Sequence, residues 1–301
     1  MTAPPSLTRI RFDGQVAIVT GAGRGLGAAY ARLLADRGAA VVVHDAGVAA
    51  DGSGADPTVA DGVARDILSR GGTAVACHDN LETGAGCRHV VELAIERFDR
   101  LDVLVHNAGL VIFASVEETD PATWDRMVNL GIHAPFHLVQ AALPHMRRRG
   151  YGRIVLTTSG RAMRLDSAAP GLTAYCVGKM GQLGLMVGVA AEIGSADVRI
   201  NAVAPVAATR VLRRHAPELR PEHVAPGVAF LASSLCNFSG VVLYAAGGRF
   251  STAAWHVGDD VDLGAEPVEP EAIADHWRAI SGLDAGFDAR CYVSVDRNPE
   301  D

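Results

Sequence analysis

An α/β fold is the first reading of this chain: a doubly wound, mostly parallel sheet of about seven strands with helices on both faces. Three observations predict it. Short apolar runs recur at wide intervals, stretches with helical spacing separate them, and a Gly-rich turn joins the first run to the first helix.

The strands come in order as Val16–Thr20, Val41–His44, Thr73–Cys77, Val103–His106, Ile154–Thr158, Val198–Val203 and Val241–Tyr244. Each is too short for a helix and apolar enough to be buried on both faces, as strands of a parallel sheet are. Between them, Ala28–Arg37, Gly86–Phe98, Trp124–Arg149 and Thr173–Ile193 carry helical spacing. Gly47–Pro57 reads as a surface loop after the second strand. Val224–Gly248 holds no charged residue, but Pro226, Ser233, Ser234, Asn237, Ser239 and Gly240 interrupt it, so a buried helix, a loop and a strand are expected rather than a membrane span. After Gly248 the alternation stops, and Glu269–Ile280 can form one amphipathic helix. Residues 10–250 are the expected cofactor-binding domain and 251–301 an acidic C-terminal extension.

Composition narrows the classes. With 49% hydrophobic and 20% charged residues the chain is globular, and its net charge of −7 argues against a general nucleic-acid binder. Residues 251–301 hold 12 acidic and 3 basic side chains, so the acidity is concentrated there. Five cysteines without a CxxC pair are no disulfide framework, and the N-terminus lacks a signal-peptide pattern; a cytoplasmic location is expected. His133 and His137 have metal-ligand spacing but no acidic partner, so no metal is expected.

Chemistry concentrates at two places. Thr20-Gly-Ala-Gly-Arg-Gly-Leu-Gly27 lies between a strand and a helix, where missing side chains let the backbone approach a pyrophosphate and the helix N-terminus offers free N–H groups. Gly21, Arg24, Gly25, Leu26 and Gly27 are therefore cofactor candidates. Asp45 follows the second strand; a carboxylate there accepts from ribose hydroxyls and repels a 2′-phosphate, favouring NAD. Arg24 pulls the other way, and Asp45 is weighted more heavily. The second place is Tyr175 and Lys179, four residues apart and so on one helix face. Bringing a phenol from a pKa near ~10 to an operating pH near ~7 requires about 4 kcal/mol of preference for phenolate, which an ammonium and a cationic nicotinamide can supply. Lys179 is the only lysine among 27 basic residues. A compact ammonium suits this space and a guanidinium does not.

On these motifs the chain resembles the short-chain dehydrogenase/reductase family over residues 10–250, which implies a Rossmann-type fold. TGAGRGLG (20–27), Asn107-Ala108-Gly109, Tyr175-Cys-Val-Gly-Lys179 and Asn201-Ala-Val-Ala-Pro205 stand in the family's order. The resemblance implies NAD(H)-linked interconversion of a secondary alcohol and a ketone, with Ser159, Tyr175 and Lys179 catalytic. It also implies cofactor contacts from Asp79, Asn80, Asn107, Ala108, Gly109, Lys179, Pro205 and Thr209. RFDGQVAIVTGAG (11–23), VVVHDAG (41–47) and PEHVAPGVAFLAS (221–233) resemble the dehydrogenase unit of multifunctional β-oxidation enzymes, implying a 3-hydroxyacyl thioester or steroid substrate. Ser159 precedes Tyr175 by 16 residues, three more than is usual, which leaves Ser167 as a rival. The family's usual tetrad Asn falls on Gly131, with Asn129 about 200° round the helix. Activity is still expected, because the Asn serves through its main-chain carbonyl. A cofactor-binding assembly partner with little turnover is the alternative.

Two surfaces complete the expectations. Arg161 and Arg164, with Arg210, Arg213 and Arg214, lie near the expected pocket and suit an anionic or strongly polar substrate handle, the alternative being a solvated helix face with salt bridges. A homodimer or homotetramer is expected, with the tail (Trp255, Ile273, Trp277, Ile280, Leu283, Phe287, Tyr292) packed on its own body or on a neighbour. The other partner is a small-molecule substrate, with no nucleic acid and no membrane.

Overall fold

The computed structural model describes residues 9–194, 196–209, 216, 218–253, 259–264 and 267–281. The elements are β1 (Val16–Thr20), α1 (Gly25–Asp36), β2 (Ala40–His44), α2 (Thr58–Ser69), β3 (Thr73–Cys77), α3 (Gly84–Phe98) and β4 (Val103–His106). There follow α4 (Pro121–Val128), a π-helical turn (Asn129–His133), α5 (Ala134–Arg149), β5 (Tyr151–Thr157), α6 (Gly160–Met163) and α7 (Thr173–Glu192). The chain continues through β6 (Asp197–Val206), α8 (Ala225–Leu231), β7 (Val242–Ala246), β8 (Arg249–Ala253), α9 (Pro270–Asp275) and α10 (Trp277–Ile280).

The eight strands form one sheet in the order β3-β2-β1-β4-β5-β6-β7-β8, parallel except for the last. Pairing is in register along β1 and β2 (Val16 opposite Ala40 to Thr20 opposite His44) and on to β4 (Thr20 opposite His106). Leu34, Val63, Ile67, Val228 and Leu231 cover one face with Val19 and Val43, while Val90, Leu138, Met146, Leu183 and Met186 cover the other with Ile18 and Leu104. From β1 the chain winds outward to β3 on one side and, from β4, outward on the other. The reversal leaves a crevice at the carboxyl ends of β1 and β4.

Three details differ from the expected elements. The sheet has an eighth strand, running three residues into the acidic segment. Gly247 and Gly248, at φ +53° and +78°, make a two-residue hairpin turn that requires positive φ at both positions. The strand escapes a hydrophobic pattern because it lies at the sheet edge with four of five residues exposed. Trp124–Arg149 is one helical run interrupted by the π turn rather than a regular helix. Glu269–Ile280 divides at His276 into two short helices, with Ile273 and Trp277 exposed in the single chain. Gly47–Pro57 is an irregular loop, as expected, held by the Arg126 guanidinium on the Gly52 carbonyl while Arg126 pairs with Glu82 at 2.9 Å. α7 is apolar and long enough to cross a bilayer, but its inner face, from Ala174 to Val189, is buried on the sheet.

Candidate active site

The Gly-rich loop is shaped by contacts that exclude side chains. Gly21 takes φ +63°, and a Cβ on Gly27 would lie 2.0 Å from the Gly21 carbonyl oxygen. Thr20, at the end of β1, is a hub: its hydroxyl accepts the N–H groups of Asn107 (3.1 Å) and Ala108 (3.0 Å). The Asn107 amide donates back to the carbonyls of Thr20 and Gly21, both at 3.2 Å. Asn107 therefore props the loop, and Ala108 backs it within 2.9 Å of where a Gly21 Cβ would stand. Arg24 is exposed and donates to the Val48 carbonyl at 3.1 Å. Half-buried Leu26 packs against the core, and the Thr209 methyl lies 3.1 Å from where a Gly25 Cβ would stand, so the segment after Pro205 roofs the loop. The result is a cradle of backbone at a helix N-terminus, which fits a dinucleotide's pyrophosphate.

Asp45 is buried, and both carboxylate oxygens are occupied: the Gly23 N–H donates at 2.9 Å and the Gly47 N–H at 2.8 Å. The same carboxylate that would meet a ribose thus also ties the Gly-rich loop to β2. Asp79 accepts from His89 at 2.7 Å and from the Cys77 thiol at 2.9 Å. Burial works to raise its carboxyl, but these two contacts outweigh burial and hold it below the usual carboxylate range. The Asn80 side chain accepts from the Glu82 N–H at 2.9 Å in the turn before α3.

At the end of β5, Ser159, Tyr175 and Lys179 come together. The Ser159 hydroxyl is near enough to the Tyr175 phenol to favour its phenolate, and it also caps α6, accepting from the Arg161 N–H at 3.2 Å. Ser167 donates to its neighbour Asp166 instead, at 3.1 Å. The Lys179 ammonium sits 5.8 Å from the centre of the Tyr175 ring and donates to the Thr157 carbonyl at 2.7 Å. Thr158 donates to the Lys179 carbonyl at 2.9 Å, and Gln182 accepts the Thr157 N–H at 3.1 Å, so α7 is clamped to the end of β5. Burial pushes the Tyr175 phenol up, partly offset by Ser159, and pushes Lys179 down to about 8. Gly109 faces the ammonium: a Cβ there would stand 3.5 Å from Nζ.

The π turn lies against this pair. A Cβ on Gly131 would meet the Gly178 Cα at 2.7 Å, so the place of an Asn side chain is filled by α7 itself. The Ala134 N–H bonds the Asn129 carbonyl, and Pro135 has no N–H, so the carbonyls of Leu130 and Gly131 both lack their ordinary donors four residues on. A cavity of about 10 Å³, room for one water, lies between Leu110, Met127, Gly131, Tyr175, Gly178 and Lys179.

A family model described as short chain dehydrogenase matches residues 15–218. The chain belongs to that family. It is 36% identical over 278 residues to the mouse peroxisomal multifunctional enzyme type 2, covering 90% of this chain but 37% of the mouse protein's length. A crystal structure of a short chain dehydrogenase from Mycobacterium avium superposes with a TM-score of 0.78 at 33% identity, covering 90% of this chain and 95% of that one. A 7α-hydroxysteroid dehydrogenase solved with NADH and 7-oxo glycochenodeoxycholic acid gives 0.70 at 30%, covering 79% and 95%. Short chain dehydrogenases bind a nicotinamide dinucleotide and act on small molecules.

The substrate wall of this short chain dehydrogenase is less uniform. Arg164 pairs with Asp166 at 3.0 Å. Arg161 is exposed at the mouth, forms no ion pair among the described residues, and its charge favours the Tyr175 phenolate. Arg210, Arg213, Arg214, Trp255, Leu283, Phe287 and Tyr292 lie outside the described residues. Sequence reasoning did not find Thr20, His106, Thr157, Thr158 or Gly178. Thr20 opens the Gly-rich motif and could have been read from it. The others matter only through contacts between distant segments.

Proposed function

We propose that the protein is an NAD(H)-dependent oxidoreductase interconverting a secondary alcohol and a ketone. The observation that carries this is the convergence of Ser159, Tyr175 and Lys179 where β5 meets α7, beside a backbone cradle for a dinucleotide. Bound there, the nicotinamide supplies or accepts the hydride. Tyr175 moves the proton at the substrate oxygen, and Ser159 donates a second hydrogen bond to that oxygen. Lys179, held by Thr157, places its positive charge beside Tyr175 and favours phenolate. Burial raises the phenol, with Ser159 and Arg161 only partly offsetting it, and a bound cationic nicotinamide would favour the phenolate further. The Gly131 carbonyl, without its helical donor, can hold a water against Lys179 for proton exchange with solvent.

NAD is the favoured cofactor because Asp45 is a buried carboxyl at the ribose end of β2, with one oxygen held by the Gly23 N–H of the Gly-rich loop and the other by the Gly47 N–H after β2, so a 2′-phosphate would meet an acceptor already in place. A 3-hydroxyacyl thioester or a steroid-type alcohol is the favoured substrate class, on the likeness to the multifunctional enzyme and the hydroxysteroid dehydrogenase. We read residues 10–250 as the catalytic domain. We also infer a homodimer or homotetramer formed on α5 and α7, where Phe136, Val177 and Val187 are exposed. The free thiols of Cys77, Cys87, Cys176 and Cys236 suit a reducing, cytoplasmic compartment.

The test is direct. NAD with 3-hydroxybutyryl-CoA, and NADH with a panel of ketones, are followed at the nicotinamide absorbance band. Turnover that disappears in Tyr175→Phe supports the reading. Tight NADH binding with no turnover on any alcohol, ketone or thioester would favour the assembly-partner alternative.

A further inference from the structure

We propose that Arg126 is a positioning residue for the cofactor: from α4 it fastens the Gly47–Pro57 loop across the adenosine end of the crevice, so that the loop stands ready as a strap over the nucleotide. The proposal rests on the reading of Asp45 and Asp79 as cofactor contacts.

Packing does little to hold this loop. Apart from Val48 it carries only Gly, Ala, Ser, Asp and one Pro, a composition that buries too little apolar surface to order itself. Polar and backbone contacts order it instead. At its base, Gly47 takes φ +71° and lies so close to Asp56 that a Cβ would stand 2.0 Å from the Asp56 carbonyl oxygen. At its tip, the Ala49 N–H donates to the Ser53 carbonyl at 2.8 Å and the Gly52 N–H to the Ala49 carbonyl at 3.0 Å. Asp51 accepts the Ser53 N–H at 2.8 Å.

Contacts from both faces of the sheet tie the loop down. Asp45 accepts the Gly47 N–H at 2.8 Å, and Arg24, at the start of α1, donates to the Val48 carbonyl at 3.1 Å. α1 and α2 pack on one face of the sheet. The tip meets the other side. There the Arg126 guanidinium donates to the Gly52 carbonyl and pairs at 2.9 Å with Glu82, just before α3, which packs on the opposite face. The chain then returns to α2 on the first face. The loop therefore crosses the carboxyl edge of the sheet beyond β2, where Asp45 and Asp79 stand. The Glu82 N–H donates to the Asn80 side chain at 2.9 Å, so one run of contacts leads from Asp45, through the strap and Arg126, to the turn after Asp79.

The fastening has little tolerance. Gly52, at φ +81°, lies against the guanidinium, and a Cβ there would stand 2.7 Å from it. A guanidinium fork reaches a carbonyl and a carboxylate together. A loop ordered in advance spares the nucleotide the cost of ordering it, so the fastening contributes affinity by preorganisation.

ADP, which carries the adenosine and pyrophosphate without the nicotinamide, tests this on the full chain without turnover. The variants are Arg126→Gln, which removes the cation, and Gly52→Ala, which disturbs the same contact from the loop side. In each we expect ADP and NADH to bind about tenfold more weakly by calorimetry. Hydrogen exchange should quicken in residues 48–53 and stay as in wild type in α7. In wild type, ADP should slow exchange in residues 48–53. ADP bound as tightly by both variants as by wild type overturns the strap. So does weaker binding accompanied by equally faster exchange in α7, since Arg126 would then only support the fold. If wild type binds neither ADP nor NADH, the cofactor reading of the crevice fails and the strap with it; ADP that binds without slowing the loop leaves that reading standing and overturns the strap alone.

Discussion

Around β1 and β4 the crevice is shaped by contacts to backbone: Asn107 on Thr20 and Gly21, Thr20 on two amides, Asp45 on Gly23 and Gly47. Beyond β5, the wall from Gly160 to Thr173 consists of a four-residue helix, a single 3₁₀ turn and ion pairs between near neighbours such as Arg164 and Asp166. The first region has almost no room for substitution, because its geometry is that of the main chain. The second is held by local side-chain contacts that many sequences can satisfy. On the proposed function, cofactor recognition falls to the rigid side and substrate choice to the permissive one.

The largest expected effect lies where the two sides meet. Tyr175→Phe and Lys179→Arg should each lower kcat by roughly a thousandfold or more with the fold intact, since the first removes the proton carrier and the second a compact cation. NADH binding by fluorescence should survive in Tyr175→Phe. Considerable turnover in either variant would separate the chemistry from this junction.

Gly27→Ala tests the rigidity of the first region. Its methyl would stand 2.0 Å from a carbonyl oxygen, so we expect about 1–3 kcal/mol lost in thermal or urea unfolding and NADH affinity sharply reduced. A neutral replacement would mean that the loop yields and the contrast is overstated.

Lys179 should also leave a signature in stability against pH. Its folded value of about 8 lies below its unfolded value of 10.5, so between these the unfolded chain binds more protons and stability rises with pH. Below about pH 8 both states are protonated and the full penalty of a buried ammonium is present. Lys179→Met should flatten that rise and be more stable at pH 7, by up to about 3 kcal/mol. Parallel urea-unfolding curves across pH 7–10 would contradict the burial argument.

Asp45→Asn keeps an acceptor for the loop while removing the charge, and should narrow the NAD-over-NADP preference about tenfold. Tighter binding of NADP than NAD by the wild type would show that Arg24 outweighs Asp45. The smallest effect is expected on the permissive side: Arg161→Gln should raise KM severalfold for an anionic substrate, with a smaller fall in kcat from the lost support of the Tyr175 phenolate. An unchanged KM would mean that this guanidinium only faces solvent.

The same division governs how much can be read from residues alone. Gly21, Gly27, Asp45, Tyr175 and Lys179 are legible because a fixed spacing places each on a strand end, a tight turn or one helix face. The hairpin of β8 was equally visible as Gly247-Gly248 but lacks the apolar alternation that marks inner strands. His106 and Thr20 are 86 residues apart, and Gly131 and Gly178 pack across two helices; such contacts exist only once the chain is folded. Gly131, a departure from the family's usual Asn, is one of a pair of glycines, with Gly178, whose close packing lets α7 touch the π turn.

That only one lysine exists, and that it is buried in the middle of α7, has a proteolytic consequence. A protease cutting solely after lysine has a single target, the Lys179–Met180 bond. Native protein should resist it, and any cut must produce just two pieces, one of 179 residues and one of 122. Cleavage therefore clocks the opening of the one helix that carries Tyr175 and Lys179, and a dinucleotide that seals the crevice should slow that clock in proportion to its occupancy.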